Sequence, residues 1–358
     1  MIIEKVEKEF GGKIRFCTPG HKGKRLPFGQ VSDTLAPFSG QEYTALAPFL
    51  NIDVTEADTH FPANSIKKAQ QKTARHLKAD TVRYLTNGSS IGIKAALMGT
   101  GDILTLDNAH QAIQEAADLG SAKVFFIKSK TKNGLVLPVS AAQIRDGLKR
   151  FPSVKTVVLT SPDYYGFNTA AEIADIVLGE GKRLYVDAAH GAHYLFRPDL
   201  FDCGLFKKAF AFNLSAHKTL PSFTQTAYLC INEKSEADRI DKNLKLLGTT
   251  SPSYPFFCSL ECASDFTHSF KGLYCRLKAA VESFKQKVPC VTSDDFSRLV
   301  VDAKALNLSG KQLYQGLFKS GIVAEKFDKR YVVFITTLAD ADQDLARLAS
   351  KILELKPD

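Results

Sequence analysis

The chain has 358 residues, of which 44% are hydrophobic, and a formal charge of +9. This length is enough for a large core and for more than one domain. No stretch approaches the roughly 20 consecutive apolar residues that a membrane span needs. Charges interrupt the N-terminus "MIIEKVEKEFGGK", where a secretion signal would be apolar. We therefore expect no membrane partner and a cytoplasmic location.

The basic charge and the cysteines suggest neither nucleic-acid binding nor a metal site. Lysines are spread along helical stretches such as "SIKKAQQKTARHLK", without a dense basic run, so we expect a solvated face and no nucleic-acid partner. Seven cysteines, an odd number, suit reduced thiols. Cys258 and Cys262 lie four residues apart but lack a second ligand pair, so we expect no metal.

The first 40 residues look like an extended arm, and residues 41–250 look like an α/β domain. From Arg83 onwards, apolar strand-like runs alternate with helical stretches in which apolar residues recur every three or four positions. This alternation predicts a mostly parallel sheet covered by helices on both faces. The predicted strands are "RYLTN", "DILTLD", "KVFFI", "TVVLTSP", "RLYVDAA", "AFAFNLS" and "TAYLCIN".

The pattern changes after about Leu247, and residues 251–358 predict a small α+β domain. One long helix is expected from "SPSYPFF" to "FKQK", followed by a strand "RLVVDAKAL" and a helix "GKQLYQGLFKSG". A strand pair around "EKFDKRYVVFITTL" and a final helix "DADQDLARLASKILEL" complete this part.

Several reactive side chains follow predicted strands, where parallel sheets bind their ligands. Gly88, Ser89 and Ser90 begin a helix whose N-terminus suits a phosphate, although Asn and Ser are also ordinary helix caps. Asp187 ends an apolar strand, and the alternatives for it are a helix cap or a structural ion pair. His110 follows another strand and alone is more typical of a structural residue. Lys218 follows in "SAHKT".

Together these residues match the needs of pyridoxal phosphate. This cofactor requires an amine that forms a Schiff base, an acid beside its pyridine nitrogen, a stacking partner and a phosphate cradle. Lys218, Asp187, His110 and the segment 88–90 supply these groups in turn.

Longer motifs extend this agreement over nearly the whole chain, which resembles the fold-type-I, aminotransferase-like decarboxylases of ornithine, lysine and arginine in bacteria. The resemblance implies a pyridoxal-phosphate-binding large domain at 41–250. The motifs are "TPGHKG" (18–23), "DVTEADTHFPANSI" (53–66), "NGSS" (87–90), "DNAH" (107–110), "TSPDYYG" (160–166), "DAAHGAH" (187–193), "SAHKTLPSFTQTAYL" (215–229) and "TTSPSY" (249–254).

The resemblance implies roles for individual residues. Lys218 would form the Schiff base, His110 would stack on the cofactor ring, and Asp187 would pair with the pyridine nitrogen. Ala189 would pack on the other ring face, with His190 near the ring hydroxyl. The remaining implied cofactor contacts are Gly88, Ser89, Ser90, Ser215 and His217 at the phosphate, Ser161 at the 3′-oxygen, and Ser251 at the phosphate of a neighbouring subunit.

The implied activity is decarboxylation of a basic amino acid, which yields carbon dioxide and a diamine or polyamine precursor. Lys218 or His217 would return a proton to the substrate carbon, and the sequence does not choose between them. The segment "TTSPSY" reaches the partner's site in this family, which implies at least a homodimer with shared active sites.

The chain departs from the family pattern in two ways, at one position and in its length. Ala188 stands where glutamate is common. Full-length relatives also continue into a C-terminal segment that supplies an acid near the substrate's distal amine, and this chain stops at Asp358. Glu56, Asp58, Asp163 and Glu261 are candidate replacements, and each is also typical of a surface acid. Two other functions stay open: different chemistry at Cα, such as transamination or elimination, and a cofactor-binding but inactive regulator.

Overall fold

A computed structural model describes residues 13–18 and 65–357 of the chain. Most of the motifs at 18–23 and 53–66, together with Glu56 and Asp58, lie outside these ranges. Within them, no helix combines the length and the apolar character that crossing a membrane requires.

The strands are short and mostly buried. In chain order they are β1 (Ile14–Phe16), β2 (Thr81–Leu85), β3 (Ile103–Leu106), β4 (Val124–Ile127), β5 (Thr131–Lys132), β6 (Leu135–Val136), β7 (Thr156–Thr160), β8 (Arg183–Asp187), β9 (Ala211–Leu214), β10 (Ala227–Ile231), β11 (Arg298–Asp302), β12 (Ile322–Ala324), β13 (Lys326–Phe327) and β14 (Tyr331–Ile335).

The helices alternate with these strands. In chain order they are α1 (Ser65–Leu77), α2 (Gly88–Leu97), α3 (Ala112–Leu119), α4 (Ala141–Arg150), α5 (Glu172–Gly179), α6 (Gly204–Lys208), α7 (Ala216–Thr219), α8 (Ala237–Leu247), α9 (Tyr254–Phe270), α10 (Leu273–Lys287), α11 (Gly310–Lys319) and α12 (Asp342–Glu354), with 3₁₀ turns at Tyr194–Phe196, Lys234–Glu236 and Ala303–Leu306.

Seven strands form the central sheet in the order β2-β10-β9-β8-β7-β3-β4. Strand β10 runs antiparallel to both of its neighbours, and the pairs from β9 to β4 are parallel. All seven strands predicted in this region are present, and the mostly parallel sheet is confirmed. Because β9, β8, β7 and β3 point the same way, their carboxyl ends meet at one edge of the sheet.

Both faces of this sheet are covered. Along β7, Val157 and Leu159 pack into one core while Val158 packs into the other. Helices α1, α4 and α5 cover the first face, and α2, α3 and α8 cover the second. Each fully buried aliphatic side chain contributes about 1.5–3 kcal/mol, which explains why these strands are rich in apolar residues.

The C-terminal region, residues 254–355, has its own core. Strands β11, β14 and β13 form an antiparallel sheet, and α10, α11 and α12 pack on it. Strand β1, which lies in the described part of the predicted N-terminal arm, pairs in parallel with β12. The α+β composition is confirmed, whereas the domain boundaries at residues 40 and 250 stay predictions.

The single long helix expected at the start of this region is wrong. The structure has two helices, α9 and α10, which meet at Lys271 and Gly272. Glycine is a poor helix former. The carbonyl of Lys271 also accepts from the Tyr274 N–H and from Arg197 Nη1, at 3.2 and 2.9 Å. This tighter turn and the side-chain contact end the regular helix.

Candidate active site

A cavity of about 440 Å³ lies at the carboxyl edge of the central sheet. Its size falls in the range of small-molecule sites. Loops after β3, β7 and β8 supply much of the wall, and the C-terminal region adds a lysine. The polar and small side chains at the wall include Ser89, Asn108, His110, Asp163, Tyr164, Asp187, Ala189, His190, Lys218 and Lys326.

Asp187 ends β8 as a buried carboxylate, with 4% of its surface exposed. Its Oδ1 accepts hydrogen bonds from Asn213 Nδ2 at 2.7 Å and from the Ala189 N–H at 3.2 Å. Tyr185 donates to Asn213 Oδ1 at 2.8 Å and orients the amide. Among the described residues Oδ2 accepts no hydrogen bond and no cation pairs with Asp187, so an acceptor is left at the cavity wall.

Lys218 lies on α7, directly after β9. Its Nζ is 3.1 Å from His190 Nε2. Burial lowers the pKa of Lys218, the Asp187 carboxylate opposes that shift, and the Arg298 guanidinium reinforces it. Since a neutral amine is the nucleophilic form, the surroundings of Lys218 favour nucleophilic chemistry.

His190 is buried beside this amine. Its ring lies against that of Tyr164, with centroids 4.8 Å apart, and its Nδ1 is 3.1 Å from Arg298 Nη2. Burial lowers the pKa of His190 far below its usual value, and the charges of Lys218 and Arg298 add to this shift. The ring is therefore neutral at physiological pH.

The N-terminus of α2 is open to an anion. Gly88 has φ +76°, a conformation that suits glycine, and its N–H donates to the Gln225 carbonyl at 2.7 Å. Asn87 makes no side-chain cap bond, so the cap alternative considered for this segment receives no support. Ser215 Oγ donates to Ser89 Oγ at 2.9 Å, which places two hydroxyls beside the free helix end.

His110 and Ala189, which are predicted to contact the two faces of the cofactor ring, both line the cavity. His110 is exposed within the described chain, and its Nδ1 accepts from the Ala112 N–H at 3.1 Å. That hydrogen bond orients the ring at the start of α3.

Besides Ser251, five predicted residues lie close to the lining residues but do not form the cavity wall. Gly88 and Ser90 adjoin Ser89 along the chain, and Ser215 contacts it. His217 donates from Nδ1 to the Thr226 carbonyl at 2.9 Å, and burial lowers its pKa. Ser161 is buried, and its hydroxyl accepts from the Thr169 N–H at 3.1 Å.

Ser251 is separate from these residues. It lies on the exposed loop before α9 and does not line the cavity of its own chain. Its predicted role in a neighbouring subunit therefore stays a prediction.

Of the candidate acids, Asp163 is the one that the described chain brings to the cavity. Its Oδ1 accepts from the Tyr165 and Phe167 N–H groups at 2.9 and 2.8 Å. Burial raises the pKa of Asp163 to about 6. Glu261 lies on α9 and is absent from the cavity wall.

The C-terminal region contributes charged groups that the sequence patterns did not reveal. Lys326 lines the cavity, and its Nζ lies 4.2 Å from the ring centroid of Tyr164 and 4.7 Å from that of Tyr165. Glu325 accepts from the Tyr164 hydroxyl and from the Thr18 N–H. Arg298 begins β11 and is fully buried. An arginine inside the apolar run "SRLVV" was the signal available for it.

The described residues contain no cluster of three or more histidine, cysteine or acidic side chains that could hold a metal ion. All seven cysteines are free thiols. The donors at the cavity instead suit an organic anion with an aldehyde and a basic ring nitrogen, because a hydroxyl-rich helix end, a buried carboxylate and a lysine amine converge there.

Comparisons with known proteins find relatives that match most of the chain. The chain is 28% identical to the uncharacterized protein YaaO of Bacillus subtilis, over 81% of the chain and 66% of that protein. It is also 28% identical to an arginine decarboxylase of the same organism, over 96% of the chain and 74% of that enzyme.

Solved structures show the same fold. A lysine decarboxylase of Francisella novicida matches 98% of the chain with a TM-score of 0.72 at 18% identity, and the match spans 59% of that protein. A histidinol-phosphate aminotransferase of Clostridium acetobutylicum matches 96% of the chain with a TM-score of 0.64 at 14% identity. The fold is thus the aminotransferase-like α/β fold.

The chain spans less than two thirds of the length of YaaO and of the Francisella enzyme. Residues 5–300 match the family model described as Orn/Lys/Arg decarboxylase, major domain. The chain therefore belongs to the Orn/Lys/Arg decarboxylase family of amino-acid decarboxylases.

Proposed function

We propose that the chain is a pyridoxal-phosphate-dependent decarboxylase of a basic amino acid: lysine, ornithine or arginine. The observation that carries this proposal is the meeting of a buried amine, a buried carboxylate and an open helix N-terminus at one cavity. Family membership supports the reaction class, and the matched arginine and lysine decarboxylases support a basic substrate.

In this proposal the chain's own residues hold the cofactor. Lys218 binds the aldehyde carbon, and Asp187 holds a proton on the ring nitrogen. The helix end at 88–90, with Ser215 and His217, binds the phosphate, while His110 and Ala189 flank the ring. Held by these residues, pyridoxal phosphate would supply an electron sink for the bond broken at the substrate's Cα.

The overall reaction removes carbon dioxide from the amino acid and adds one proton at Cα, leaving an amine. Two residues are candidates for holding that proton. Lys218 has a depressed pKa and lies at the cavity wall. His217 has its Nδ1–H committed to the Thr226 carbonyl, which leaves Nε2 as its exchangeable nitrogen. We assign the proton to Lys218, because His217 does not line the cavity.

Asp163 is our proposed partner for the substrate's distal cation. A cationic side chain in a partly dry pocket needs a nearby carboxylate. Asp163 lines the cavity, and its Oδ2 accepts no hydrogen bond among the described residues. Lys326 also lines the cavity and disfavours a second cation there, so the two charges together would influence which substrate binds.

The proposed active unit is a homodimer in the cytoplasm, with Ser251 reaching the partner's phosphate site. Seven free thiols agree with a reducing compartment. Sedimentation of the active protein tests the dimer: a species that is monomeric at full activity would contradict shared sites.

The deciding experiment incubates purified chain and pyridoxal phosphate with lysine, ornithine or arginine. Carbon dioxide and the corresponding amine are both measured. Release of both in equal amounts supports decarboxylation, a keto acid without carbon dioxide indicates transamination, and cofactor binding without any product indicates a regulator.

Lys218→Ala is expected to abolish the visible absorbance of lysine-bound cofactor and the product. Lys207→Ala removes an exposed lysine on α6 and serves as the matched control, with no expected change. Full absorbance in Lys218→Ala would refute the lysine assignment.

A further inference from the structure

Arg298 extends from the C-terminal region into the candidate active site. It is fully buried, and Nη2 lies 3.1 Å from His190 Nδ1 and 3.3 Å from the His190 carbonyl oxygen. Its Nε and Nη1 have no hydrogen-bond partner in the described chain. The hydrogen bonds of this buried cation are thus directed at one histidine.

The position of Arg298 is maintained by close packing. Asp295 Oδ2 lies 3.9 Å from Arg298 Nε and supplies the nearby negative charge. Gly166 has φ +87°, and a Cβ there would lie 2.7 Å from Arg298 Cγ and 3.0 Å from Asp295 Cβ. Burying a charge is costly. The loop after β7 leaves room for the Arg298 side chain because Gly166 has no Cβ at the point of contact.

The hydrogen bond from Arg298 determines where His190 carries its proton. A guanidinium only donates hydrogen bonds and stays protonated in proteins. Nδ1 of His190 must therefore accept, which puts the proton of the neutral ring on Nε2. That Nε2–H faces Lys218 Nζ at 3.1 Å.

An ammonium group has three donors and no acceptor, so it cannot accept from the His190 Nε2–H. A neutral amine has a lone pair and can. We propose that Arg298 is a positioning residue that fixes the Nε2–H tautomer of His190 and thereby keeps Lys218 as a neutral amine in the unliganded protein. The tautomer of His190 and the charge of Lys218 are properties of the unliganded chain and do not depend on which reaction the loaded protein catalyses.

The charged groups around Lys218 and His190 influence whether each of them is protonated. Asp187 and Glu325 favour a charged Lys218, whereas Arg298 and burial oppose it. Around His190, the groups Lys218, Arg298, His217 and Lys326 all disfavour a second proton. The pKa values of both Lys218 and His190 are lowered, in agreement with a neutral–neutral pair.

The chemical consequence is readiness to react with an aldehyde. A primary amine attacks a carbonyl carbon only from its unprotonated form; the C=N bond forms and one water leaves. If Lys218 is already neutral, no proton has to leave the site before this condensation. Arg298 therefore keeps Lys218 in its reactive, neutral form without touching the reacting atoms.

The first test observes the tautomer directly. Nitrogen-15 NMR of the unliganded full chain, labelled at histidine, reports which ring nitrogen carries hydrogen, and His190→Gln assigns the signal. We expect a protonated Nε2 and an unprotonated Nδ1 near neutral pH. A proton on Nδ1 would overturn the proposal, whether or not the chain decarboxylates any amino acid.

The second test follows the rate at which the unliganded chain condenses with pyridoxal, which lacks the phosphate, as a function of pH. Arg298→Met removes the hydrogen-bond donor and the positive charge, so the pKa of Lys218 should rise. The midpoint, the pH at which the condensation rate is half-maximal, should then move up by about one pH unit. Arg298→Lys restores a cationic donor and should return the midpoint most of the way.

Arg239→Met is the matched control, since Arg239 donates to the Met98 and Ala96 carbonyls outside the cavity. It should leave the midpoint unchanged. A folded Arg298→Met protein with the wild-type midpoint would overturn the proposal. Should that variant fail to fold, the NMR measurement on the unmodified chain still decides.

Discussion

Two regions of the molecule build the candidate active site in different ways. The edge of the central sheet contributes Asp187 and Lys218, which follow apolar strands in short motifs. The C-terminal region contributes Arg298, Glu325 and Lys326, which lie within or between short strands of a separate sheet. The sheet edge supplies groups suited to the chemistry, and the C-terminal region supplies charges that adjust them.

Two histidines of one motif illustrate this division. His190 lies between Lys218 and Arg298, and burial together with the Arg298 guanidinium keeps its ring neutral. His193 lies beside Asp295 and Ser297, with Nε2 3.4 and 3.2 Å from their oxygens. Burial alone would raise the pKa of Asp295, but His193 and Arg298 hold it at about 2. The same segment, 295–298, thus anchors both histidines of "DAAHGAH".

The largest expected effect is at the sheet edge. Asp187→Asn keeps the shape and most hydrogen bonds but removes the charge that we propose holds a proton on the cofactor ring. We expect turnover to fall at least about 100-fold, measured as carbon dioxide release. Glu261→Gln, on α9 away from the cavity, is the control and should behave like wild type. Equal loss in both variants would contradict the assignment.

The junction between the regions can be loosened at Gly166. Gly166→Ala places a methyl group against Arg298 and forces an unfavourable φ, so we expect a loss of about 2–3 kcal/mol in the free energy of unfolding. Gly134→Ala, at φ +85° with no atom within 4 Å of the new Cβ, carries the backbone strain alone. Urea denaturation of both variants isolates the packing contribution, and identical losses would show that Arg298 can move aside.

Asp163→Asn should raise the KM for a basic substrate about 10-fold, by removing one charge-assisted hydrogen bond. In the wild-type chain the carboxyl is protonated below its pKa of about 6, so KM should also rise as pH falls through that value. The variant should lose this pH dependence. A KM that changes with pH in the same way in both proteins would exclude Asp163 as the distal partner.

Lys326→Met tests the opposing charge and has the smallest expected effect. Removing a cation from the wall should lower the KM for a basic substrate by about threefold, although the contacts with Tyr164 and Tyr165 are worth about 0.5–1 kcal/mol in stability. Lys329→Met, at an exposed position, is the control. A rise in KM would mean that Lys326 binds the substrate instead of repelling a cation.

Much of the fold was predictable because its elements are local. Alternation of apolar runs and amphipathic stretches identified all seven strands of the central sheet, and the helical periodicity identified α12. The break at Gly272 was missed, because apolar spacing continues across it while the turn depends on a contact with distant Arg197. Hairpin β5–β6 and the pairing of β1 with β12 were missed since these strands are two or three residues long.

The sequence by itself determined the groups at the strand ends. A polar residue at or just after the end of a largely apolar strand emerges at the carboxyl edge of a parallel sheet, so Asp187, Lys218 and the start of α2 could be placed together without coordinates. Only the tertiary structure decided the state of those groups. Arg298 and His190 are 108 residues apart in sequence. The proton position on His190, and with it the charge of Lys218, depends on packing between two separate sheets that no local pattern records.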